Sequence, residues 1–296
     1  MRDFYKPFEE RTPDSQYRDR LKQILDTGVM VKQTMQGVGA LTCFGSLHPM
    51  VFDLSNGAPV ITDRSIKGFW RKPVAELIAF ANGKRTVDDF VKVGCDYWEE
   101  YRGRGTEFGM DSDDLGPGSY GAAFHDFPMP DGGTFNQFVE MISQIRERPY
   151  LRTHFISPWI PFYTVSGERR KVIVAPCHGW QMYRVIDNKL HLVMMQRSAD
   201  FPIGVPSNMV QYACMLLMMA HATGYEPGTY THQFLDAHIY EDQIDAVREL
   251  ITREPLRLPT LRLCTKAEDF FEITSRDFEL EDYAPHPGMP GIPFRP

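Results

Sequence analysis

The chain has 296 residues, 43% of them hydrophobic and 24% charged, with a net charge of −7 at neutral pH. That apolar share supports a sizeable core and excludes disorder over most of the length, while the mildly acidic balance argues against nonspecific nucleic-acid binding, which needs a basic face. No apolar run approaches the roughly 18–20 residues of a membrane span, the Met1–Lys6 stretch lacks the apolar segment of a secretory signal, and five scattered cysteines without CxxC pairs suit free thiols rather than a disulfide frame or zinc site, so a cytoplasmic protein without a metal is expected.

In chain order, residues 15–27 carry Tyr17, Leu21, Ile24 and Leu25 at helical spacing, with Gly28 as a stop. The runs Gly37–Gly45 and Pro49–Leu54 read as a strand pair. Pro73 opens a helix that runs through Ala81, and Thr86 caps a second helix reaching about Tyr101. From Arg102 to Gly132 the chain is rich in Gly, Asp and Pro and has no clear period, which predicts an irregular segment, either a functional loop or a disordered one. Residues 134–146 return to helix. Strands are expected at Lys171–Ala175, Gln181–Ile186 and Leu190–Gln196, with Asp187-Asn188 turning between the last two. The most apolar helix spans Pro206 to Thr223; strands at 228–235 and 259–264 flank a polar helix near 241–252, and the Pro- and Gly-rich tail after Tyr283 is not helical. Strands and helices intermix without a linker, which predicts one α/β or α+β domain over 1–296, with 1–14 and 289–296 as peripheral tails.

Several clusters could carry chemistry. Cys177, in Ala175-Pro176-Cys177-His178, reads either as a buried inert thiol or as a nucleophile. The second role needs a cation to lower its pKa, and Arg197 supplies one if the strand at 190–196 lies alongside. Gln196, Arg197, Ser198, Asp200, Gly204 and Asn208 crowd between a strand and an apolar helix. They form either a loop ion pair or an anion-and-amide recognition loop, in which Asn208 offers a donor and an acceptor to a uracil edge. His238 and Tyr240 share one face of an extended segment, as packing residues or as ligands. Glu76, within Val74–Phe80, is either on a solvent face or buried for acid–base work.

Together, Ala-Pro-Cys-His, Gln-Arg-Ser-x-Asp-x-x-x-Gly-x-Pro-x-Asn, Asp-x-His-x-Tyr and Asp-Leu-Gly-Pro resemble the ordered motifs of folate-dependent thymidylate synthases, over about Asp26 to Gly288. The resemblance implies a domain with a large twisted mixed β-sheet flanked by helices, forming a homodimer sheet to sheet. It also implies a covalent route in which Cys177 adds to C6 of a pyrimidine nucleoside monophosphate and C5 takes a one-carbon unit from 5,10-methylenetetrahydrofolate. In that scheme Glu76 organises proton transfers, Tyr120 assists loss of the C5 proton, Asn208 binds the base, and His178 and Gln196 line the nucleotide site. His238 and Tyr240 hold the sugar hydroxyl. Arg197 and Ser198 bind phosphate, with Arg152 reaching over from the partner subunit, while Asp200, Gly204 and Trp98 meet the folate.

Departures from the family pattern shape the expectation. Met35 and Thr153 stand where the family carries phosphate-binding arginines, and charge-assisted bonds contribute about 1.5–3 kcal/mol each. Lys32, Arg64 or Lys67 compensates, or the phosphate is held differently. Cys95 replaces a tryptophan of the folate side, and the tail reads Gly291-Ile-Pro-Phe-Arg-Pro296. These changes favour admission of water, hence hydroxymethylation of dUMP, over thymidylate synthesis. Asn208 favours uracil over cytosine, since cytosine-specific relatives carry aspartate there. The alternatives are thymidylate synthase proper, a dCMP or CMP hydroxymethylase or methylase, and a catalytically dead regulatory or RNA-binding relative.

Overall fold

The computed structural model describes residues 4–165, 167–168 and 170–295. The first three residues of the N-terminal stretch and Pro296 of the tail lie outside the described residues. Helix α1 (Gln16–Thr27) buries Tyr17, Leu21 and Ile24, the stripe its spacing dictates, and is followed by β1 (Val29–Val31), β2 (Ala40–Phe44) and β3 (Met50–Asp53). Helices α2 (Arg71–Ala81) and α3 (Val87–Lys92) come next, then α4 (Tyr120–His125), a small hairpin of β4 (Phe127–Pro128) and β5 (Thr134–Phe135), and α5 (Gln137–Glu147). Beyond β6 (Phe155–Ile156) and the short α6 (Pro161–Thr164) run β7 (Trp180–Ile186), β8 (Lys189–Asp200), α7 (Gly204–Thr223) and β9 (Glu226–Tyr240). Helix α8 (Ile244–Leu250) and the antiparallel pair β10 (Thr260–Leu263) and β11 (Phe278–Glu281) follow.

Seven strands form one mixed sheet in the order β1-β2-β9-β8-β7-β6, with β3 also on β9. The β8–β9 pair is parallel and the others are antiparallel. Helix α7 is the crossover that a parallel pair requires, and it is buried on nearly every side, from Val205 to Thr223. Alternation along β8 turns Leu190, Leu192, Met194 and Gln196 into the interior with α7 and leaves Val193 43% exposed. Val51, Phe155 and Leu235 are likewise exposed apolar strand residues.

The sequence expectations need four corrections. Gly37–Gly45 and Pro49–Leu54 do contain strands, but β2 and β3 do not pair with each other; they lie end to end along β9, on Asp236–Tyr240 and Thr229–His232. The second helix has its Thr86 cap, in a capping box with Asp89, yet it stops at Lys92 because Gly94 takes φ 87°. The Arg102–Gly132 segment is not wholly irregular: it holds a 3-10 turn at Arg104–Phe108, then α4 and the start of the hairpin. Lys171–Ala175 forms no strand; its apolar residues pack inward from an irregular loop. Among the described residues no helix is long and apolar enough to cross a membrane.

Candidate active site

The loop carrying Cys177 is pinned to the start of the recognition run. The backbone N–H groups of Arg197 and Ser198 both donate to the Cys177 carbonyl, at 2.8 and 3.3 Å. The proximity that Arg197 needed is therefore present, although through a loop rather than a strand. Its guanidinium donates to the carbonyls of Pro176 (2.7 Å) and Ala175 (2.9 Å) and reaches Sγ of Cys177 at 3.5 Å. It also lies 5.4 Å over the Trp159 ring. Burial pushes the Cys177 thiol up, and Arg197 and Tyr120 pull against it.

Tyr120, on α4, accepts from the backbone N–H of Cys177 at 2.6 Å and of His178 at 3.4 Å. His178 is buried, with Nδ1 2.7 Å from the Tyr212 hydroxyl, and burial followed by the Arg197 charge pushes its pKa down to about 3. It is a neutral imidazole at any ordinary pH. Gly179 closes the loop at φ 103°, where a Cβ would stand 2.9 Å from the Tyr212 oxygen and 3.0 Å from Phe124. Only glycine satisfies both the left-handed backbone and that close approach.

A second group gathers under α7. Glu76 is buried in α2, where its two carboxylate oxygens accept from the Trp98 indole (2.7 Å) and the Gln211 amide (2.7 Å). Burial raises its pKa to about 7 against those two donors. Asn208 and Gln211 sit three residues apart on one face of α7, and Asn208 Nδ2 donates to Gln211 Oε1 at 2.9 Å. Gln196 Nε2 donates to Asn208 Oδ1 at 3.0 Å, while Gln196 Oε1 lies 2.8 Å from His232 Nε2. Five buried side chains on four elements thus form one continuous hydrogen-bonded row, from Glu76 to His232.

Asp200, at the end of β8, meets the Gln243 amide at 3.3 and 3.4 Å, and burial raises its pKa to about 6. Those bonds are long, so the carboxylate keeps capacity to accept from a further N–H donor. Gln243 also donates to the Pro293 carbonyl at 2.9 Å, and Arg295 pairs with Asp242, which ties the tail to the 241–243 turn. His238 and Tyr240 do share a face, with ring centroids 5.0 Å apart, and His238 Nδ1 lies 3.4 Å from Asp236. Ser198 follows Arg197 on β8, and Gly204 begins α7 near Asp200 and Asn208.

Arg152 is exposed in the loop before β6, with no bond to this cluster. Of the compensating cations, Arg64 is buried and donates to the Pro202 carbonyl at 2.8 Å, and Lys67 lies over Tyr283. Lys32 is exposed in the same loop as Met35. Cys95 is fully buried in the core. Sequence reasoning missed Gln211, Tyr212, His232 and Gln243. Gln211 did leave a signal, as the one amide inside the apolar run Met209–Ala220. Among the described residues no group of three or more His, Cys, Asp or Glu side chains could hold a metal.

The thymidylate synthase family model matches residues 15–292, and the chain belongs to that family. It is a transferase of one-carbon groups, using methylenetetrahydrofolate as co-substrate and a pyrimidine nucleotide as acceptor.

Proposed function

We propose that the protein hydroxymethylates dUMP at C5 as a single catalytic domain in a sheet-to-sheet homodimer in the cytoplasm, through a covalent bond from Cys177 to C6. Methylenetetrahydrofolate supplies the one-carbon unit, and Asp200 fits it, since its half-buried carboxylate can accept from a pterin N–H near Gly204, with Trp98 as a further folate contact. Cys177 Sγ adds to C6, which makes C5 nucleophilic, and Arg197 favours the thiolate this needs. Tyr120 and His178 hold the nucleophile's loop and line the nucleotide site, with Tyr120 assisting removal of the C5 proton. Glu76, raised to about 7, exchanges protons near neutrality. Asn208, backed by Gln196, reads the base. His238 and Tyr240 bind the sugar hydroxyl, and Arg197 and Ser198 take the phosphate together with the partner subunit's Arg152.

The observation that carries the hydroxymethyl outcome is the tail. Its last described residues bond Asp242 and Gln243, and Phe294 is left 57% exposed. A tail held in this way would let water reach the exocyclic methylene carbon before hydride does. The sheet's exposed apolar residues, Val51, Phe155, Val193 and Leu235, support the dimer. Turnover of dUMP followed at the dihydrofolate absorbance, with the product weighed by mass spectrometry, tests the reading. A gain of CH2O without dihydrofolate is expected; a gain of CH2 with one dihydrofolate per turnover overturns it.

A further inference from the structure

The row from Glu76 to His232 has a direction. The Pro73 carbonyl can only accept, as can an ionised Glu76, so the Gln211 amide must turn its NH2 toward them, at 2.9 and 2.7 Å. Gln211 Oε1 then faces Asn208 and must be met by the Asn208 NH2, which leaves Asn208 Oδ1 to accept from Gln196. Gln196 in turn presents Oε1 to His232, whose Nε2 must carry the proton. His232 Nδ1 is buried with no hydrogen-bond partner among the described residues, in keeping with that tautomer. Burial holds His232 neutral by pushing its pKa well below the ordinary range.

Fixing Asn208 this way has a chemical consequence. Its second N–H and the remaining lone pair on Oδ1 stay available, a donor and an acceptor in one fixed sense. Uracil matches it, with O4 accepting and N3–H donating. Cytosine presents the reverse pair, an N3 acceptor and an N4 donor, and requires the Asn208 amide to turn over. Turning it over reverses every bond in the row. Neither end yields: a reversed Gln196 sets its carbonyl oxygen against the Ser198 carbonyl, which its NH2 now meets at 2.9 Å, and a reversed Gln211 sets its oxygen against the Pro73 carbonyl, which its NH2 likewise meets at 2.9 Å. Gln211 is therefore one of two rigid links, beside Gln196.

We propose that Gln211 is a specificity-determining positioning residue, which together with Gln196 locks the Asn208 amide in the uracil-reading orientation by tying it to the Pro73 carbonyl and Glu76. The proposal rests on the reading of the substrate as dUMP. It makes the base preference a property of a residue buried behind Asn208 and not of Asn208 alone.

The test compares kcat/KM for dUMP and dCMP in the wild-type enzyme, Gln211→Met and Gln211→Glu. In Q211M the tie to Pro73 and Glu76 is gone and Gln196 alone holds Asn208, so the dUMP preference should fall about tenfold, with kcat/KM for dCMP rising in absolute terms. A merely structural role would lower both substrates together. Q211E shares one proton with Glu76 and still accepts from Asn208, so it should keep the wild-type preference whatever its overall rate. Where Q211M does not fold, Gln211→Asn, one methylene shorter and unable to span both partners, takes its place. A wild-type enzyme that prefers dUMP alongside a Q211M that keeps that preference, or a Q211E that loses it, overturns the proposal. A wild-type enzyme that prefers dCMP or acts on neither base removes the dUMP reading and this inference with it.

Discussion

Replacing Glu76 by glutamine should change how stability depends on pH more than it changes stability itself. The carboxyl titrates at about 7 in the folded protein against an ordinary 4.5, because burial disfavours its ionised form. Folding is therefore favoured by the protonated form, and the folded state binds the extra proton between those two values. Stability is fully present below about pH 4.5 and is lost as pH rises through 7. At 1.36 kcal/mol per pH unit, that gap corresponds to about 3 kcal/mol lost by pH 8. In Glu76→Gln the titration is absent, so the difference between the two proteins should shrink by about 3 kcal/mol between pH 4.5 and pH 8. Any constant offset from rearranged bonds to Trp98 and Gln211 drops out of that comparison. Urea unfolding of both proteins at five pH values measures it. Parallel curves would refute the claim that Glu76 is ionised at a cost inside the core.

Two further outcomes follow from the geometry. Arg197→Met removes the cation 3.5 Å from Cys177 Sγ, so the midpoint of iodoacetamide alkylation at Cys177 should rise by about one to three pH units, with an unmoved midpoint counting against Arg197 as the thiolate's partner. Val193→Glu puts a charge at the middle of the exposed sheet face, which should cost the proposed dimer about 3 kcal/mol or more and yield monomer by light scattering; a variant that stays dimeric would place the interface elsewhere.

Much of this architecture was legible from local pattern. The helix from residue 16, the Thr86 cap, the Asp187-Asn188 turn with both residues at positive φ, and the buried helix α7 follow from periodicity, capping and turn chemistry. Pairing was less legible, because β2 and β3 are each suited to a strand partner and only the long β9 decides which one they take. Lys171–Ala175 has strand-like residues yet no ladder, since burial alone satisfies its apolar side chains. In the site, residues of ordered motifs converge as expected: Arg197 meets Cys177, and His238 meets Tyr240. Of the members that escaped notice, Gln211 lies in an apolar helical run and His232 between Thr231 and Gln233 on the strand that follows, where neither carries a motif. Their meaning arises only where α7 crosses the sheet and joins them through Asn208 and Gln196. The cations proposed to replace the missing arginines show the reverse. Arg64 has the right charge and lies buried, with one guanidinium nitrogen on the Pro202 carbonyl, a placement its sequence position does not reveal.

The central claim is that Cys177 attacks C6 of a uracil nucleotide and that C5 then bonds to the folate's one-carbon unit. Incubation with 5-fluoro-dUMP and methylenetetrahydrofolate, followed by proteolysis and peptide mass spectrometry, tests it directly, since fluorine at C5 cannot leave as a proton and the complex is trapped. One nucleotide and one folate are expected on the peptide containing Cys177, and none in Cys177→Ser. An unmodified Cys177 peptide, or an adduct on another residue, would contradict it.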